Sequence, residues 1–525
     1  MKKVFALLVV FVLVFSLAAC NNNTPAASPS APGSSASAPS SQPDPQPATG
    51  SPVEITVAFK WHPNGLDPIS EDSGMNKSIC YHLYDRLVFF DYQDNRMSPS
   101  IAKSWEKIDG TTWKIEINLN DYVFHNGDKL KMEDVEFSIL RIKDIPKSAE
   151  TGMLIESVSS EGNILTLKFT QENNTLLARV LDTAVIVNKA YIEANGDEGI
   201  YTKPVGTGPY KVTEFVPGTT TVLETWDGYL LPKPQIDKIT VICIPEDAAR
   251  YIAVETGLAQ WTAWMTPMEM GLAEKNDNLA TYYGEGRRFG TVCFNCERPP
   301  FDNINVRRAL AHCINRDAFA ALQGGGRPPM KGVLFAGYDL YMDPPGLPEF
   351  DLEKAKAMLA AEGFNDSNPL SFQMLSYAPA DPGLELYQST LKSIGVNMEI
   401  TEYDVNVMMS LEVAGDYEVE WVTPSNRGNH PLADLDRFDY FYLGTRNMSR
   451  YNNPRVQEII RRMLVTDDQQ ELQTLNVEIN TILGQEVPMV GVIVYQNLAA
   501  MDKRMSGATI HPNNIFDYRN ATFTG

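Results

Sequence analysis

Beyond its first 17 residues the chain has no apolar run near the roughly 20 residues that a spanning helix needs, so the body reads as soluble. Positive charge is in deficit. Lys and Arg number 44 against 66 Asp and Glu, for a net charge of −22 and a pI near 4.8. Nucleic-acid phosphates and anionic lipid surfaces call for the opposite balance, so neither is an expected partner. Cysteine is scarce, at Cys20, Cys80, Cys243, Cys293, Cys296 and Cys313. Should Cys20 be committed elsewhere, an odd number remains, which excludes a fully paired disulfide scaffold. Cys293-Phe294-Asn295-Cys296 spells C-x-x-C, but its flanks read as a strand rather than a helix start. Residues i and i+3 of a strand face opposite sides, so packed thiols are expected there. Histidine is equally sparse, six in all and widely spaced. No H-E-x-x-H appears, and the single C-x-x-C reads as strand and has no second cysteine or histidine pair beside it, so no metal site and no cofactor are expected. No G-x-S-x-G elbow appears either. Acidic pairs such as Glu133/Asp134 and Asp434/Asp436 leave a secreted hydrolase open as an alternative, because carboxyl separation is not readable from sequence.

What is present begins at the amino terminus. Lys2 and Lys3 precede an apolar run from Val4 to Leu17, then Leu17-Ala18-Ala19-Cys20. That run is too short to span a bilayer and has the form of a secretory signal. The small residues before Cys20 resemble a bacterial lipobox, in which the cysteine is lipidated and becomes the first residue after cleavage. Residues 1–20 are therefore read as a lipoprotein signal peptide, and the mature protein as extracytoplasmic and lipid-anchored. Residues 21–52 are nearly all Asn, Ser, Pro, Ala, Thr, Gly and Gln, with Asp44 as their one charge. Such a stretch buries too little apolar surface to offset its ordering entropy, and its prolines favour extended backbone. It reads as a disordered stalk, of the kind that resembles Gram-positive lipoproteins.

The remaining body, about 470 residues, exceeds one ordinary core and predicts two or three lobes. Strands are expected over Val53–Phe59, Gly110–Leu119, Lys211–Val216, Thr221–Thr225, Ile239–Ile244, Leu370–Leu375, Val396–Thr401 and Val490–Tyr495. Helices are expected over Asn76–Arg86, Lys131–Arg141, Asp247–Glu255, Val306–Cys313, Asp351–Glu362, Leu384–Ile394, Pro454–Leu464 and Gln469–Leu483, and a short one at the end of Met97–Glu106. Helix and strand alternate throughout, which predicts an α/β architecture.

Several segments carry a resemblance in a fixed order. They are Leu83-Tyr84-Asp85-Arg86-Leu87-Val88, Pro99-Ser100-Ile101-Ala102-Lys103-Ser104-Trp105-Glu106, and Val123-Phe124-His125-Asn126-Gly127-Asp128 followed by Glu133-Asp134-Val135-Glu136-Phe137-Ser138. Gly206-Thr207-Gly208-Pro209-Tyr210, Asn305-Val306-Arg307-Arg308-Ala309-Leu310 and Tyr451-Asn452-Asn453-Pro454 complete the set. Together they resemble extracellular solute-binding proteins of family 5, the peptide and nickel binders of ABC importers. The residues themselves read mostly as scaffold: Trp105 and Trp113 as core aromatics, Asn126 and Asp128 as turn formers, Arg307 as the partner of a local carboxylate. The resemblance implies a bilobal fold of the periplasmic-binding-protein type II, with two lobes joined by two crossing strands and an extra subdomain in the first lobe. The crossings fall near Arg288–Asn295 and Val490–Tyr495. Lobe I is expected over 53–290 and 492–525, with the inserted subdomain at about 85–205, and lobe II over 291–491.

The resemblance also implies function. The protein is expected to be a monomeric, non-enzymatic receptor that captures a peptide-like small solute between closing lobes and passes it to ABC permease subunits. A non-peptide solute and a signalling role remain open. In these relatives an aspartate three residues after a tryptophan takes the ligand's α-amine. Here Trp421 matches, but Pro424 stands in the aspartate's place and no carboxylate lies between Trp421 and Pro431. Arg427 brings the opposite charge. Trp421 and Trp61 are the expected aromatic walls, with Arg427 and Arg288 as charged contacts, and His430 reads as an isolated surface residue.

Overall fold

The computed structural model describes residues 52–69, 74–91, 96–145, 149–322, 324, 327–332, 340–377, 380–424, 431–511 and 514–524. Cys20, the stalk, Arg427 and His430 lie outside them. The body from Pro52 onward is one compact unit. Its spine is a ten-stranded sheet in which two long antiparallel strands, Leu279–Phe294 and Met489–Asp502, run side by side through the middle. On one side lie Trp261–Ala263, Glu54–Phe59, Lys238–Cys243, Thr220–Thr225 and Tyr210–Val216. On the other lie Val419–Val422, Ser371–Tyr377 and Asn397–Tyr403. Each half has its own buried core. The first gathers Val57, Leu83, Tyr210, Ile239, Trp261 and Phe516, and the second Phe294, Phe301, Leu310, Met374, Leu384 and Trp421. The fold is thus bilobal α/β, with both crossings where expected but several residues longer.

An inserted subdomain adds a four-stranded antiparallel sheet in the order Ala102–Lys107, Thr112–Ile117, Ile164–Phe169 and Ile155–Glu161. Helix Met132–Asp144 buries Val135, Ile139 and Ile142 in the same core, and Trp105 and Trp113 pack against it. The short helix expected at the end of Met97–Glu106 is instead the strand Ala102–Lys107, paired with Thr112–Ile117. Ala, Lys and Glu favour a helix, but a tight turn and a partner strand override that weak preference.

Two of the scaffold motifs meet. The Gly208 N–H donates to the Leu83 carbonyl at 2.9 Å, and the Asp85 N–H donates to Thr207 Oγ1 at 3.2 Å. A Cβ at Gly208 would lie 2.6 Å from the His82 carbonyl oxygen, so the turn needs glycine for close approach. Arg307 departs from expectation. It is buried and pairs with no carboxylate among the described residues; it donates to the carbonyls of Phe301, Asp302, Glu486 and Val487. Those are orphan carbonyls at chain turns, and an arginine's five donors suit them. Among the described residues Cys80, Cys243, Cys293, Cys296 and Cys313 form no disulfide.

Asp85 yields a pH prediction. Its buried side chain leaves Oδ2 without a hydrogen bond, and burial pushes its carboxyl up to about 7, against some relief from Thr207. A carboxyl raised on folding contributes stability below its unfolded pKa, near 4, and loses it as pH rises towards 7. Asp85→Asn is therefore expected to stabilise the protein at pH 8, by an amount on the order of 2–4 kcal/mol, and to do little at pH 4. Urea unfolding at the two pH values measures the difference.

Candidate functional site: the cleft at the crossing strands

The strand directions define the cleft. Glu54–Phe59 runs parallel to Lys238–Cys243 and Trp261–Ala263, and all three point their carboxyl ends at the crossings. In the other lobe Val419–Val422, Ser371–Tyr377 and Asn397–Tyr403 are mutually parallel and point back the opposite way. The carboxyl ends of both parallel sets therefore face one crevice, where open α/β sheets place their ligands.

At the floor the crossing pair changes register between Gly284 and Arg288. A Cβ at Gly286 would lie 1.7 Å from the Tyr495 carbonyl oxygen, so the two backbones touch there. Gly286→Ala is expected to force them apart at a cost of about 1–3 kcal/mol, measurable as a lowered urea midpoint.

Trp61 follows the first strand and stands in the crevice, 58 % exposed. Its ring leans on Trp264, with centroids 5.2 Å apart, and Lys60 Nζ lies 5.5 Å from its centre. Lys60 is held by Asp247 at 3.3 Å. Arg288 is open to solvent at the register change, its guanidinium 4.5 Å from the Tyr495 ring centre. Arg327 sits at the same distance from that ring and pairs with Asp381 at 3.3 Å, while the Tyr495 hydroxyl donates to Asp381 at 2.8 Å. Surrounding protein desolvates Arg288 and lowers its pKa, with Arg327 repelling and Tyr495 and Asp381 partly compensating.

Trp421 is placed otherwise than expected. It is 2 % exposed, and its ring stacks on Phe319 at 5.2 Å in the lobe II core. The strand Val419–Val422 is covered on both faces, Val419 and Trp421 in one core and Val422 in another, so its tryptophan has no free side. Thr423 and Pro424 emerge at the strand's end, and the Pro424 carbonyl accepts from the Phe289 N–H at 3.3 Å. Between Val419 and Trp421, Glu420 is fully buried beside the Cys293 thiol. Burial first, and then Glu412, raise its carboxyl well above the ordinary range. It lies in the core, away from the crevice.

Away from the crossings the subdomain reaches lobe II directly. The Asn174 N–H donates to the Leu464 carbonyl at 2.7 Å, its side chain donates to Thr466 O and Asp467, and Arg179 lies 3.5 Å from Asp436. Among the described residues no group of three or more His, Cys, Asp or Glu is placed to hold a metal ion.

Comparison with known proteins defines the class. Residues 96–447 match the bacterial extracellular solute-binding proteins, family 5, and the chain belongs to that family. It is 25 % identical to a glutathione-binding protein of Pectobacterium atrosepticum over 87 % of this chain and 92 % of that one. It is 24 % identical to a nickel-binding protein of Staphylococcus aureus over 82 % and 88 %. The fold is similar to a dipeptide-binding protein from Pseudoalteromonas solved with Met-Leu, with a TM-score of 0.78 and 19 % identity over 90 % of this chain and all of that one.

Proposed function

We propose that the protein is the solute-capturing subunit of an ABC importer, and that it takes a peptide-like small solute into the cleft and presents it to the membrane permease. The observation that carries this reading is the cleft itself, faced by the carboxyl ends of both parallel strand sets and bridged by two strands. Hinge motion about those strands closes lobe I, 53–290 and 492–525, over lobe II, 291–491. Closure follows from the solute's higher affinity for the closed state. Trp61 supplies an aromatic wall and Arg288 a charged contact. Trp421 supports the floor from inside, and Arg427 belongs to the segment that continues past Pro424. The lipobox-like Cys20 tethers the monomer outside the cytoplasmic membrane, at a Gram-positive cell surface.

A second reading, a non-peptide solute in the same cleft, is favoured by one observation. Pro424 stands where the amine-binding aspartate of peptide receptors is expected. Native mass spectrometry of the purified protein, followed by thermal shifts with peptides, sugars and metal chelates, separates the two. A retained, stabilising short peptide supports the first. A sugar or chelate that binds where peptides do not overturns it in favour of the second.

A further inference from the structure

Arg288 stands at the register change of the crossing pair without a counter-charge of its own among the described residues. Among the described residues Arg288 has no hydrogen bond or ion pair, only the face of Tyr495. Arg327 shares that ring and pairs with Asp381, whose carboxylate also accepts from the Tyr495 hydroxyl and the Gly383 N–H. Asp381 thus pairs with Arg327 and forms no ion pair with Arg288. These side chains come from separate parts of the chain. Arg288 lies on the first crossing and Tyr495 on the second, Arg327 beside the second crossing through a Val494 N–H to Pro328 carbonyl bond of 2.9 Å, and Asp381 beyond the end of Ser371–Tyr377.

A cation held in a partly dry crevice is costly unless an anion meets it. The Tyr495 ring lies under the guanidinium, a cation–π contact worth on the order of 1 kcal/mol that uses none of the guanidinium's N–H donors. A planar fork of donors matches a carboxylate or another oxyanion in a two-point contact. A neutral or cationic solute would leave that charge unmatched, and a cation would add repulsion from Arg327.

We propose that the solute carries an oxyanion, a carboxylate above all, and that Arg288 receives it at the hinge, over the ring of Tyr495 and beside Arg327. This rests on the reading of the cleft as the solute site and names the chemistry of what enters it. Because Arg288 lies at the register change of the crossing pair, the anion would bind where the lobes pivot and be enclosed as they close.

The test is binding of matched acid and amide probes to wild-type protein and to Arg288→Gln and Arg288→Lys, by thermal shift and calorimetry. The probes are Met-Leu, Met-Leu amide and Glu-Leu amide, with gluconate and glucose as a non-peptide pair, and any co-purified small molecule is identified after denaturation. The expected result is that probes with a carboxylate bind and their partners without one do not. Arg288→Gln should weaken the acid at least about 30-fold and erase the discrimination. Arg288→Lys should keep part of it, and the unliganded melting temperature should hold in both. Met-Leu binding without Glu-Leu amide binding assigns the anion to a peptide's terminal carboxylate, and the reverse assigns it to a side chain. Neutral probes that bind as well as acids, a co-purified solute without an oxyanion, or an Arg288→Gln variant that discriminates as before would overturn the inference and leave the solute-binding reading standing. If nothing co-purifies and no solute binds, that reading falls as well.

Discussion

Asp67→Ala is expected to destabilise the protein by about 3–5 kcal/mol, among the largest single-residue losses. Asp67 is 1 % exposed and receives both terminal nitrogens of Arg141, at 3.0 and 2.6 Å. Arg141 stands on the subdomain helix Met132–Asp144, whereas Asp67 follows the first strand of lobe I, so the pair fastens one to the other. Losing the carboxylate leaves a guanidinium buried without its counter-charge, and that uncompensated charge sets the size of the effect. The double variant Asp67→Leu/Arg141→Met should recover much of the loss, because an apolar pair of similar bulk restores packing without a stranded ion. Guanidinium unfolding of the single and double variants measures both. A double variant no more stable than Asp67→Ala would show that the pair's geometry, rather than its charge balance, holds the subdomain.

Trp421→Ala carries the second large effect, about 3–5 kcal/mol from lost burial and the cavity left behind. The ring is stacked on Phe319, and a Cβ at Gly290 would lie 2.3 Å from it, so it fills the space under the first crossing strand. Its effect should appear in the unfolding midpoint. Solute affinity, measured by calorimetry below that midpoint, should change far less than for Trp61→Ala, whose ring stands in the cleft. Equal loss of affinity in both variants, with no loss of stability at Trp421, would place Trp421 in contact with the solute instead.

These residues also mark what the sequence made legible. Elements with a clear period of their own were readable, as in helix Asp247–Glu255 or the hairpin from Tyr210 to Thr225. Both crossing strands were placed, though short of their full length, because their ends are fixed by pairing with each other rather than by local composition. Ala102–Lys107 was misread because its strand state depends on a partner. In the crevice, Trp61 and Arg288 stood out as an aromatic and a cation next to strand boundaries. Arg327 and Asp381 did not, since they are 54 residues apart and Asp381 lies 114 from Tyr495, distances no periodicity bridges. Trp421 misled for the opposite reason. It stood out by its likeness to a tryptophan of the relatives, whereas the four-residue strand Val-Glu-Trp-Val is buried throughout.

The central claim is capture between closing lobes without chemical change. Small-angle X-ray scattering of the purified protein, with and without a stabilising solute, tests it most directly when the solute is recovered afterwards and weighed by mass spectrometry. Capture by closure gives a smaller radius of gyration on binding and a solute of unchanged mass. A solute that binds without compacting the protein, or that is recovered cleaved, would contradict it.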